Sequence, residues 1–261
     1  MHATKRLTFY NAVDSPFPHR VRLALEEAGA KYDVILIDLY NKPDWYGKKV
    51  YPVAKVPVLV YGGPALNEDD APSPEAATIS ESLVILEFLA DLFPNLLPVD
   101  PVLRARARFF IKTADEKFSK AFFKFVLAGG SMDDMLDAVM EMQALLPNTG
   151  FAVGKWSIAD AAFVPFLLRL ESLLKNKFWA FAEGVAEKTL TELHAPKFAK
   201  IRSYLEDNVA RESMTRTWDE FRQMAALAQI DRRTRRASAQ NSTLSSSQPS
   251  VSVPQQWKDL V

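Results

Sequence analysis

The sequence predicts an α/β domain followed by an all-α domain, and three observations carry that prediction. Two strand-like runs, residues 7–10 and 34–39, flank a helical stretch at residues 16–27. Two further strand-like runs, at residues 56–61 and 77–79, are the last of their kind. Beyond Phe93-Pro94 and Asp100-Pro101, apolar residues recur at helical spacing in long segments.

Leu7 to Tyr10 and Val34 to Leu39 are mostly β-branched, aromatic or aliphatic, with turn formers beside them. Between them Val21, Leu23, Ala24 and Leu25 stand among charged residues, and Gly29 follows as a helix stop. A strand, a crossover helix and a strand form a right-handed parallel unit. The run from Val56 to Tyr61 reads as a third strand ending at Gly62-Gly63-Pro64, and Ala77 to Ile79 as a short fourth. Asn67 to Glu75, acidic and proline-bearing, reads as a flexible surface loop. A helix over residues 82–92 closes the first half, so the first domain is placed at residues 1–93. Helices are expected over residues 104–127, 133–146, 158–174, 196–208 and 212–228, which places an all-helical domain at residues 101–230. Residues 231–261 open on Arg232-Arg233-Thr234-Arg235-Arg236 and continue rich in Ser, Gln and Pro, a composition expected to stay disordered.

Composition excludes several functions. Lys plus Arg and Asp plus Glu both number 32, so no net field draws the chain to nucleic acid or an anionic membrane. There is no cysteine, which rules out disulfides, thiolate metal sites and a protein thiol nucleophile. No metal is expected. The start lacks the apolar stretch of a secretory signal, and no run approaches the roughly twenty apolar residues that span a bilayer. A cytoplasmic location is the expectation.

Three segments carry chemistry. In Asp14-Ser15-Pro16-Phe17-Pro18-His19-Arg20, Ser15 suits a helix N-cap and Pro16 the first helical position, where a missing N–H costs nothing. A partly buried helix N-terminus favours an anion by up to about 2 kcal/mol, and one hydrogen bond to a charged group adds about 1.5–3 kcal/mol. Together these lower the pKa of a bound thiol by about two units, since one unit is about 1.4 kcal/mol. A thiol of pKa about 8.5 is then mostly thiolate at neutral pH. The same residues also suit a helix cap without any ligand.

In Lys55-Val56-Pro57-Val58-Leu59, proline interrupts a strand pattern and implies an edge, a bulge or a cis bond. A cis bond turns the Val56 main chain outward, where it can pair with an extended peptide as an added strand does. An ordinary strand-opening proline explains the segment equally. In Ile79-Ser80-Glu81-Ser82-Leu83, the helix start and the Ser82 hydroxyl suit a carboxylate, and Glu81 suits an ammonium group. Simple capping by serine accounts for the same residues.

In this order and spacing, the three signals resemble the glutathione site of the glutathione transferase superfamily, most of all its omega class and the omega-like enzymes of fungi. Ser15-Pro16-Phe17 with Arg20 and Arg22 resembles the omega motif Cys-Pro-Phe with two downstream arginines. Asn41-Lys42-Pro43-Asp44-Trp45 resembles the omega segment whose lysine reaches the glycyl end of glutathione. Val56-Pro57 and Glu81-Ser82 match the pairs that hold the cysteinyl backbone and the γ-glutamyl group. Gly154-Lys155-Trp156-Ser157-Ile158-Ala159-Asp160 resembles the family's buried N-capping box, a folding element in which Ser157 and Asp160 satisfy each other's backbone donors.

The resemblance covers residues 6–230 and implies a thioredoxin-like first domain, glutathione as co-substrate, and a homodimer. It implies Ser15 as the catalytic residue and Phe17, Lys42, Val56, Pro57, Glu81 and Ser82 as glutathione-binding residues. One departure decides the chemistry: where omega enzymes carry cysteine, this chain has Ser15. A mixed disulfide cannot form there, so the implied reaction is attack of a serine-held thiolate on an electrophile or a peroxide, a detoxification chemistry. Phe118, Phe122, Phe123 and Trp179 are expected beside an apolar, aromatic second substrate, although aromatics at helical spacing also suit a core. A ligandin that stores aromatic small molecules and a glutathione-dependent ether-cleaving enzyme are the alternatives.

Overall fold

The computed structural model describes residues 5–178 and 181–220. Four strands form one mixed sheet in the order β2-β1-β3-β4, with β1 Leu7–Asn11, β2 Asp33–Leu36, β3 Val58–Tyr61 and β4 Ala77–Ser80. The β1–β2 pair is parallel, joined by α1 Pro16–Glu27; β1–β3 and β3–β4 are antiparallel. Alternation sorts the side chains of β1 onto two faces. Leu7 and Phe9 pack with Leu59, Val21 and Ile85 in the main core. Tyr10 faces the other way, with Ile35, Val58, Val60, Tyr46 and Val50.

Helix α1 runs where the apolar spacing predicts, with Pro16 in its first turn and Gly29 just past its end at φ 63°. The Val56-Pro57 bond is cis and β3 begins at Val58, so the proline stands just outside the ladder of a central strand. Helix α2 covers Ser82–Leu92. A 3₁₀ turn at Pro94–Leu96 follows, and α3, Pro101–Thr113, starts with the Asp100 carboxylate accepting from Leu103 N at 2.8 Å.

The helical part continues with α4 Ser119–Ala128, α5 Met132–Leu145, α6 Ile158–Lys175, α7 Val185–Leu193, α8 Ala199–Val209 and α9 Glu212–Thr217. Four of these differ from the sequence reading. The expected helix over 104–127 is one helical run from Pro101 to Ala128, interrupted by a wide turn at Ala114–Phe118. The expected helix over 196–208 opens on a 3₁₀ turn at Pro196–Phe198, and α7 was not expected at all. Helix α9 ends at Thr217 with Trp218 extended; residues 221–228, the rest of that expected helix, lie outside the described residues, as does the tail at 231–261.

The two halves share one apolar core from β1 and α2 through α6. Within it the capping box is closed: Asp160 is fully buried and accepts from Ser157 N at 2.9 Å, Ala152 N at 2.8 Å and Tyr204 Oη at 2.9 Å. A second tie joins α1 to α9, because the Glu27 carboxylate accepts both from the Arg211 guanidinium fork and from the Ser213 hydroxyl. Glu27→Ala is expected to lower stability by about 1–2 kcal/mol, since a two-pronged charged pair is lost from a partly buried site. Urea unfolding checks it, with an unchanged slope expected.

Candidate glutathione site

The register of the sheet gathers the candidate segments. Tyr10 pairs with Val58, and Val58 with Ser80, so these three lie in one row at one end of the sheet. Beyond that row, β1 leaves into residues 12–15, β3 is entered from residues 56–57, and β4 leaves into residues 81–82. The chain after β2 emerges at the same end, where Ile37 N donates to Asn11 O at 2.7 Å. All four segments that resemble glutathione-binding motifs therefore meet at one edge.

Ser15 occupies the N-cap position of α1, with φ −92° and ψ 135°, yet its side chain makes no capping hydrogen bond. Its position is that of a helix cap, but capping does not use its hydroxyl. The residue is 3% exposed. Lys42 Nζ donates to Ala54 O at 2.6 Å, and Tyr46 Oη donates to Lys55 O at 2.7 Å, which fixes the chain leading into Val56-Pro57. Burial, with Lys55 nearby, holds the Lys42 ammonium below the usual lysine range.

Glu81 is exposed and adopts φ 68° and ψ 116°, a region non-glycine residues occupy at a cost of about 1–3 kcal/mol. Ala54 and Lys177 share a positive φ among the described non-glycine residues, and Glu81 is the one that stands immediately before α2. Ser82 is buried, and its hydroxyl accepts from Arg20 Nη1 at 3.2 Å. Arg20 is 1% exposed and also reaches Ala162 O at 2.8 Å and Asp115 Oδ1 at 3.1 Å. Burial pulls the Arg20 guanidinium down to about 10, against the upward pull of Asp115, so it remains a cation at neutral pH. It thus ties the start of α2 to the wide turn before α4 and to α6.

The aromatic residues divide into two groups. Phe17 stacks on Phe123 at 5.9 Å and meets Phe166 edge-on at 5.3 Å, and Phe122 touches both Phe123 and Phe166 at 5.2 and 5.7 Å. The Arg20 guanidinium lies 5.4 Å from the Phe17 ring and 4.6 Å from the Phe166 ring. Phe118 belongs elsewhere: it is fully buried and meets Phe163 edge-on at 4.8 Å, with Phe110 and Tyr204 also against Phe163. Phe118 thus packs within the core, and Phe122 and Phe123, 3% and 2% exposed, belong to the same core cluster. Trp179 lies outside the described residues.

Sequence reasoning named Arg20 only as part of a motif and missed Asp115, His19 and Arg169. A signal existed for Arg169: between Ser157 and Glu171 the only charged residues are Asp160 and Arg169, and both are buried. No group of three or more His, Cys, Asp or Glu able to hold a metal ion occurs among the described residues, and no helix there is long and apolar enough to cross a membrane.

A thioredoxin-like four-stranded sheet whose segment ends converge on a helix start, joined to an all-helical part, defines the fold class. Comparison with known proteins gives the family. The glutathione S-transferase N-terminal domain model matches residues 14–92. A probable glutathione S-transferase of Nicotiana tabacum is 31% identical over 208 residues, covering 77% of this chain and 84% of the relative. The crystal structure of glutathione transferase Omega 1C from Trametes versicolor superposes with a TM-score of 0.82 at 45% identity, covering 86% of this chain and 95% of that one. Omega 2S from the same organism, in complex with 2,4-dihydroxybenzophenone, gives a TM-score of 0.82 at 40% identity over 86% of this chain and 98% of that one. The chain belongs to the glutathione transferase family and resembles its omega class.

Proposed function

We propose that this glutathione transferase conjugates the glutathione thiolate to apolar and aromatic electrophiles, with Ser15 donating a hydrogen bond to the sulfur. The observation that carries the reading is the row Tyr10, Val58, Ser80, which sets three motif segments at one end of the sheet beside a helix-start serine whose hydroxyl makes no cap. In this reading Val56 and Pro57 hold the cysteinyl backbone, Lys42 the glycyl end, and Glu81 with Ser82 the γ-glutamyl group. Reduction of organic hydroperoxides follows from the same thiolate.

In this reading the half-buried Phe17 ring, backed by the buried Phe122 and Phe123, is the aromatic side of the site against which a flat co-substrate packs. The capture of a dihydroxybenzophenone by a relative 40% identical supports aromatic ligands and also favours a ligandin role. Turnover of a chlorinated nitrobenzene with reduced glutathione separates the two. Conjugation well above the uncatalysed rate supports the transferase, and negligible turnover with tight benzophenone binding supports the ligandin. A cytoplasmic location is part of the proposal.

A homodimer is part of the proposal. Val84 on α2 and Val102 and Phe109 on α3 are exposed, Phe109 by 59%, beside the pair formed by Arg108 Nη2 and Glu87 Oε2 at 2.7 Å. An apolar strip rimmed by charges suits a second copy. Phe109→Asp is expected to give monomers in sedimentation at micromolar concentration where the wild type sediments as a dimer.

A further inference from the structure

The loop that carries Ser15 is held from the other domain. Arg169, on α6 and 3% exposed, donates through Nη2 to Val13 O at 3.3 Å and to Ser15 O at 3.2 Å. Through Nη1 it reaches Pro165 O at 3.0 Å and His19 Nδ1 at 2.9 Å. Within the loop itself the Ser15 N–H makes only a 3.3 Å bond to Ala12 O. Two carbonyls flanking Asp14 are thus gripped by one planar cation.

Arginine only donates, so His19 Nδ1 must accept and the imidazole proton sits on Nε2. That nitrogen donates to Thr217 Oγ1 at 3.0 Å, and the Thr217 hydroxyl in turn donates to Ser213 O at 2.8 Å. Burial, with Arg169 and Arg22 adjacent, keeps His19 well below the usual imidazole range, so it stays neutral. Trp218 closes the far side: its ring stacks on His19 at 5.8 Å and lies 5.1 Å from the Arg169 guanidinium.

We propose that Arg169, oriented by a neutral His19, is a positioning residue for Ser15, setting where the serine hydroxyl stands and supplying a buried positive charge beside the bound thiolate. The proposal rests on the reading that Ser15 holds that thiolate. Burial pulls Arg169 down to about 9, with the neighbouring Asp14 acting in the opposite direction, which leaves a cation at neutral pH. The charged and titratable groups around it are Asp14 from the loop, His19 and Arg22 from α1, and Asp38 and Tyr40, which face Asp14 from the chain after β2. Asp14 offsets part of the Arg169 charge, so a moderate effect is expected. Ionisation of the thiol in the first domain then depends on a side chain of the second.

The test follows the ultraviolet absorbance of the thiolate as reduced glutathione bound to the full-length protein is titrated with base. Arg169→Met is expected to raise the apparent pKa of the bound thiol by about one unit, with Arg169→Lys falling between it and wild type. At neutral pH kcat should fall about threefold, more at lower pH, and recover as pH rises, while KM for glutathione stays within about threefold. A merely structural role would not give that pH-dependent recovery. A folded Arg169→Met protein whose bound thiol titrates as in wild type overturns the proposal. Should circular dichroism show that variant unfolded, Arg169→Lys and His19→Leu carry the test, and unchanged titration in both overturns it. Ser15→Ala run alongside separates the two claims: if Ser15→Ala raises the thiol pKa and the Arg169 variants do not, only the positioning role fails. If Ser15→Ala leaves it unmoved, the thiolate reading fails first.

Discussion

Ser15→Ala is expected to lower kcat/KM for glutathione conjugation by about a hundredfold at neutral pH. A hydrogen bond to a charged partner is worth about 1.5–3 kcal/mol, which brackets a loss of about ten- to two-hundredfold. Stability should barely change, because the Ser15 side chain makes no capping bond for alanine to remove. Affinity for glutathione should fall less than turnover, since in the proposed site the other segments still hold the tripeptide. Steady-state kinetics across pH checks this. The deficit should shrink as pH rises above the thiol pKa, where solvent ionises the sulfur without help from the protein.

The second large effect concerns folding. Asp160→Ala should cost about 3–5 kcal/mol, because it leaves buried donors at Ala152, Ser157 and Tyr204 without an acceptor. For a chain of this size that corresponds to a fall in Tm of roughly 6–20 °C, readable by calorimetry. Burial pushes the Asp160 carboxyl up to about 6, outweighing the donors that favour its charged form. Between the ordinary carboxylate range and that value, the folded chain keeps a proton that the unfolded chain has released. The contribution of Asp160 to stability is therefore full at low pH and declines as pH rises through about 6. The gap between wild type and Asp160→Ala should narrow over that window.

How much of this was legible in the sequence depends on how each residue makes its contacts. The strands and α1 announced themselves by alternation and helical spacing, because their burial is apolar and periodic. Helix α7 did not, although Val185, Ala186, Leu190 and Leu193 recur at helical spacing against the core: at nine residues it offers barely two turns of that pattern. The two aromatic groups could not be separated from spacing alone. Phe118 and Phe122, four residues apart, lie on one stripe against α6, where Phe118 meets Phe163 and Phe122 meets Phe166, so spacing does not tell a core ring from a site ring. The motifs at Ser15, Val56-Pro57 and Glu81-Ser82 were local and therefore readable. The partners of Arg20 and Arg169 were not, because they lie 62 to 156 residues away in sequence and only the packed structure brings them together.

The central claim is that segments at one end of the sheet grip a tripeptide so that its sulfur meets the Ser15 hydroxyl. A crystal structure of the complex with reduced glutathione tests it most directly. The account predicts sulfur within about 3.5 Å of Ser15 Oγ and the cysteinyl main chain paired with Val56. A sulfur turned away from Ser15, with another donor holding it, contradicts the account.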